Sequence, residues 1–126
     1  MHYNLQVGVE YTRDEIHSMF GGSTQWFLPR ANSKVVCACL TLRLNPKAPF
    51  EILVGCGVEK EKSAELLSHQ TNPIPIFIKQ DTNRWQYTGE FVCTRYSTDI
   101  AVIRPKAERA GRDDVAGVLF MNPTVR

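Results

Sequence analysis

No apolar run in this 126-residue chain approaches the ~20 residues of a membrane-spanning helix, so no membrane partner is expected. The opening MHYNLQVGVEY has no basic stretch leading into an apolar one, so no signal peptide is expected, and the expected compartment is the cytoplasm. Cysteine is scarce and unpatterned. Cys37, Cys39, Cys56 and Cys93 include no C-x-x-C pair, and His2, His17 and His69 stand at no zinc spacing. Neither a structural metal nor a disulfide framework is expected, and the thiols read as reduced and mostly buried. Phosphate-loop signatures are also missing. GCGVEK, residues 55–60, lacks the third glycine of G-x-G-x-x-G and the Gly-Lys-Ser/Thr of a P-loop, so it reads as a turn entering a helix. No cofactor is expected. One sign of charge does not dominate: 15 Lys and Arg against 13 Asp and Glu give +2, too little to imply a polyanion partner unless the cations gather on one face.

What is present is a chain of single-domain length, residues 1–126, with 43% hydrophobic and 22% charged residues, ordinary for a globular protein. Residues 3–11 alternate loosely, as a first strand would. Thr12 followed by Glu15 is a capping box, Ile16, Met19 and Phe20 share one helical face, and Gly21 and Gly22 end that helix. Residues 34–44, KVVCACLTLRL, are apolar at nearly every position, which predicts a strand covered on both faces. FEILVG, 50–55, predicts a second strand in a hairpin with it. A helix of about three turns follows, with Val58, Leu66 and Leu67 inward. Strands are predicted at 74–79, 85–96 and 114–121, and short helices within 98–112, with Pro105 in a first helical turn. The fold class is α+β: a small curved sheet or barrel with two or three short helices packed outside.

The aromatic residues carry the functional reading. In TNRWQYTGEF, 82–91, strand alternation puts Trp85, Tyr87, Gly89 and Phe91 on one face. Tyr87 and Phe91 are expected in the core, and Trp85, at the mouth of its strand, is expected to line a pocket with Trp26. Both indoles adjoin a loop and a cation, the combination that base stacking and phosphate contact need. Catalysis has less support. His17 and His69 lie among polar neighbours on predicted helices, Asp113 and Asp114 read as turn residues, and Cys56, a loop thiol between two glycines, has no evident base. No catalytic residue is assigned.

The run PIPIFIKQDTNRWQYTGEFVCTRYSTD, with the closing RAGRDDVAGVLFM, resembles the PUA, EVE and SRA domains, and among them bacterial domains associated with modification-dependent restriction and other defence proteins. The likeness spans residues 12–121 by order of elements and is most specific over 75–96. It implies a small β-barrel that recognises nucleic acid, with DNA expected ahead of RNA and a nuclease or other defence protein as a further partner. It also implies a modified or flipped base in an aromatic pocket, without catalysis by this chain. The expected contacts are a stack from Trp26 or Trp85, edge recognition by Gln25 or Asn32, and phosphate contacts from Arg30, Lys34, Lys79, Arg84 and Arg95. Two other readings compete. One is a protein-interaction module of inhibitor or immunity type, with Trp26 and Phe27 as hot spots. The other is a small hydrolase or transferase using Cys56 or Glu90.

Overall fold

The computed structural model describes residues 4–124; residue 3 of the expected first strand lies outside them. The elements run β1 (Glu10–Tyr11), α1 (Arg13–Phe20), β2 (Arg30–Ala31), β3 (Lys34–Val35), β4 (Ala38–Leu40), β5 (Glu51–Gly55), α2 (Val58–Ser68), β6 (Ile74–Asp81), β7 (Arg84–Ser97), α3 (Ile100–Arg109) and β8 (Val115–Pro123). Six strands form one mixed sheet in the order β4-β6-β7-β8-β5, with β1 added on β7, while β2 and β3 form a separate hairpin. Asn32 and Ser33 close that hairpin with φ of 53° and 63°, the left-handed pair that matches strand twist in a two-residue turn.

The expected α+β class with a curved sheet and short helices is what the chain adopts. Ala38 and Leu40 from one end of the strand order share a single core cluster with Ile52 and Val54 from the other end, so the sheet curves until its two edges face common side chains. Ala64 and Leu67 of α2 and Leu28 of the loop before β2 join that cluster. The opposite face holds a second cluster, Ile16 of α1 with Cys37, Cys39, Phe77, Trp85 and Tyr87. Burial on both sides of residues 35–40 is therefore real, with α1 and β1 over one face and α2 over the other.

Four local expectations are corrected. The single strand expected over 34–44 is two short ones in different sheets, β3 and β4, interrupted at Val36 and Cys37, and it ends at Leu40, leaving Leu42 exposed. The segments expected to form a hairpin do not pair: β4 runs parallel to β6, and β5 pairs antiparallel with β8, at the far end of the sheet. A short connection does not oblige a hairpin when each strand has a longer apolar partner elsewhere. Val58 is 81% exposed because it is the first residue of α2, beyond reach of the core that Leu67 enters. Pro105 lies inside α3, flanked by the buried Ile103 and Ala107 that fasten the helix to Leu53 and Val118. Packing of that apolar stripe outweighs the helix-breaking tendency of proline.

The alternation expected along β7 is also broken. Phe77 pairs with Tyr87 and Ile74 pairs with Phe91, yet Phe77 and Ile74 are three apart on β6 and so point to opposite faces. The register slips between Ile76 and Phe77, leaving Thr88 as a bulge beside Gly89 at φ 120°. Trp85 and Tyr87 thus enter the α1-side cluster, and Phe91 enters the α2-side cluster. Tyr87 and Phe91 are both buried, as expected, but in different cores.

Candidate nucleic-acid interface

Two cavities flank the loop 23–27, and that loop is held at both ends. After α1, Gly21 and Gly22 turn the chain with φ of 81° and 80°. A Cβ on Gly22 would stand 2.8 Å from Pro29 Cβ and 3.2 Å from the Arg30 backbone. Gly22→Ala should therefore destabilise the fold by about 1–2 kcal/mol from the left-handed backbone alone, with the clash in addition. Chemical denaturation against wild type reads this, and an unchanged midpoint would mean the loop relaxes freely. Further along, Val36 and Cys39 donate their N–H groups to the carbonyls of Pro29 and Phe27, so the loop is fastened to the chain around the edge strand β4. Arg13 anchors it from below, donating through Nη2 to the carbonyls of Ser23 and Trp26 at 2.9 and 3.0 Å.

The first cavity, about 350 Å³, lies across the seam where the sheet stays open. Trp26 and Phe27 bound it from the β4 side, Leu53 and Gly55 from β5, Lys60 and Ser63 from α2, and Leu44 and Arg112 close it. This volume falls in the range of small-ligand sites, and an apolar lining with a few convergent polar groups is their usual chemistry. Asn45, 4% exposed, is locked by Oδ1 accepting from Leu53 N and Nδ2 donating to Thr41 O. At the rim Trp26 is 38% exposed, with the Arg30 guanidinium 4.8 Å from its ring centroid and Arg30 in turn paired with Glu59.

Arg112 ties the cavity wall together. Its Nη1 reaches the carbonyls of Leu44 and Leu53, and its Nε and Nη2 pair with Asp114 at 2.9 and 3.1 Å. Gly55 permits this, since a Cβ there would lie 3.2 Å from both partners. The hydrogen bond from Arg112 holds the Asp114 carboxyl below its ordinary range. Stability from this lowered carboxyl is fully present above the unfolded value near 3.9 and drains as pH falls through the lower folded value. Asp114→Asn should flatten that acid limb of a stability-against-pH curve, by a small amount because the carboxyl is half exposed. An identical acid limb in the variant would show that the pair contributes nothing.

The second cavity, about 500 Å³, opens between α1 and the β6–β7 hairpin and is lined by Arg13, Asp14, Thr24, Lys79, Asn83 and Trp85, with Gln25 shared between the two cavities. Sheet register explains this grouping: Tyr11, Trp85 and Lys79 sit opposite one another across β1, β7 and β6. Arg13 and Lys79 stand 5.2 and 5.7 Å from the Trp85 ring centroid. Trp85 itself is only 8% exposed. It bounds this cavity and not the one bounded by Trp26, so the single pocket expected to hold both indoles is two neighbouring cavities.

The remaining expected residues are dispersed. Arg84 pairs with Glu10 at 3.0 Å. Lys34 lines a separate open groove of about 880 Å³ with His69, Pro73 and Glu90. Arg95 lies over the Phe120 ring at 5.2 Å, away from both cavities. Asn32 occupies the β2–β3 turn. Cys56 is exposed, with its backbone N–H on the Asp114 carbonyl. Below Trp85, a hydrogen bond with Cys39, together with burial, holds the Cys37 thiol well above its usual range, as befits a core thiol. Among the described residues no cluster of three or more His, Cys, Asp or Glu forms a metal site, and no helix is long and apolar enough to cross a membrane. Sequence reasoning missed Arg13, Asn45, Lys60, Ser63 and Arg112. They come from four separate segments, with only Lys60 and Ser63 sharing one, and no local motif marks them.

Residues 10–102 match the family described as "Domain of unknown function (DUF6697)". The chain belongs to that family. No curated protein matches this DUF6697 member. Among solved structures it is similar to the crystal structure of the SUVH5 SRA–hemi-methylated CG DNA complex, at 12% identity and a TM-score of 0.64, over 100% of this chain and 93% of that one. At that identity the likeness shows the fold alone, and that fold is SRA-like.

Proposed function

We propose that the protein is a nucleic-acid recognition domain that receives an extruded base in the cavity bounded by Trp26 and Phe27. The observation that carries this reading is that cavity: aromatic on one wall, set in the seam of an open curved sheet, with Gln25, Asn45, Glu59, Lys60, Ser63 and Arg112 as polar groups around an apolar interior. Support comes from the shared architecture with an SRA domain solved on hemi-methylated CG DNA. The energetics fit. Extruding a base costs a few kcal/mol, least when the base is modified or mispaired. Stacking on an aromatic returns ~1–3 kcal/mol, and polar contacts to the base edge add selectivity. Gln25, exposed and at the boundary of both cavities, is placed to read an edge. Arg30 serves the base by orienting Trp26, because its charge is already matched by Glu59.

The test is a titration of labelled single- and double-stranded DNA and RNA, with and without methylated cytosine, at two salt concentrations. Binding that falls with salt and prefers one base or modification supports the reading. No detectable binding to any of them would turn the account toward a protein partner docking on Trp26 and Phe27.

A further inference from the structure

We propose that the cleft between α1 and the β6–β7 hairpin binds a phosphodiester of the nucleic-acid backbone next to the extruded base. This inference rests on the base-cavity reading above and extends it to a second set of residues.

The cleft holds an unmatched buried cation. Arg13 is only 9% exposed and lines the cleft. Its partners are the carbonyls of Ser23 and Trp26 and the face of Trp85. Among the described residues, no carboxylate forms an ion pair with it or with Lys79. Burying a guanidinium without an anion is costly, and carbonyls and an indole face offset that only in part. An anion entering the cleft would complete the site.

Charge and donor count also suit a phosphodiester. Arg13 and Lys79 bring two positive charges to the cleft and Asp14 one negative, leaving a net single positive charge. A phosphodiester carries a single negative charge. Asn83 is fixed by its Oδ1 accepting from Arg13 N at 3.0 Å, so what it offers a ligand is its NH2 donor. With the Thr24 hydroxyl and the Lys79 ammonium, the cleft presents donors to a group that only accepts.

The cleft is also connected to the base cavity. Arg13 holds the backbone carbonyl of Trp26, and Gln25 borders both cavities. An anion in this cleft therefore bears on the loop that carries the base-cavity wall. Positioning by phosphate contacts beside base recognition is the usual division of work in such interfaces.

The experiment measures affinity against salt for a short labelled duplex with a hemi-methylated CG step, and for the same duplex with the methylated nucleotide made abasic. Lys79 is exposed and dispensable to the core, so Lys79→Gln is the probe, and Lys62→Gln, on the exposed face of α2, is the control. Lys79→Gln should weaken both duplexes alike and reduce the salt slope by about 0.9, the loss of one phosphate contact, with Lys62→Gln unchanged. An unchanged slope in Lys79→Gln, with the intact duplex still preferred, overturns the phosphate site and leaves the base cavity standing. A reduced slope with equal binding of intact and abasic duplexes supports the phosphate site and removes the base cavity. Sedimentation with phosphatidylglycerol vesicles provides the other arm: vesicle binding that needs Lys79, with no duplex binding, assigns the cleft to lipid and overturns the proposal. Binding to neither probe overturns it as well.

Discussion

Trp85→Ala should cost ~3–5 kcal/mol of folding stability, the range for a core aromatic. The indole is 8% exposed and packs with Ile16, Cys37, Cys39, Phe77 and Tyr87. It is also the cross-strand neighbour of Tyr11 and Lys79, so its loss opens a gap across three strands. Phe77→Ala should do comparable damage from the same cluster, since Phe77 meets Tyr11, Phe20 and Tyr87 at centroid distances of 6.0, 6.3 and 5.5 Å. Urea denaturation of both variants against wild type measures this. A Trp85→Ala loss below about 0.5 kcal/mol, the size of an ordinary surface change, would mean the indole is a surface platform after all.

Trp26→Ala should show the opposite pattern. Its ring is 38% exposed, and its loop is held by backbone contacts from Arg13, Val36 and Cys39 that the substitution keeps. Stability should change little. Affinity for a base-bearing oligonucleotide should fall by the stacking term, ~1–3 kcal/mol, about 5–150-fold. The salt dependence should stay as in wild type, because no phosphate contact is removed. Paired denaturation and anisotropy measurements separate the two effects. A Trp26→Ala variant that binds like wild type while remaining folded would remove the stack from the account.

The contrast between these indoles shows where the sequence is informative. The α1 capping box, the burial of residues 35–40 on both faces and the strands over β6 and β7 are local patterns, and the chain adopts each of them. Trp85 looked like a mouth residue because it follows a polar turn. What buries it is β1 and α1, more than sixty residues earlier in the chain, and no local pattern announces that cover. The bulge at Thr88 is likewise a property of two strands in register, so Phe91 could not be assigned to its own core from alternation alone. Of the base cavity, only Trp26 and Gln25 are legible in the sequence, where Phe27 reads as a hot spot for a protein partner. The cavity's other walls, from β5, α2 and Arg112, meet because β4 and β5 end up at opposite edges of a curved sheet. Local pattern alone joins those two strands in a hairpin.

The most direct test of the central claim is acrylamide quenching of tryptophan fluorescence with the tightest-binding oligonucleotide of the titration panel and its abasic counterpart. In the free protein the quenchable signal should come mainly from Trp26, since Trp85 is already shielded. The account predicts that Trp26 becomes protected when the intact oligonucleotide binds and stays accessible when the abasic one binds at saturation. Equal protection by both, or no protection by either, would contradict the placement of a base in the Trp26–Phe27 cavity.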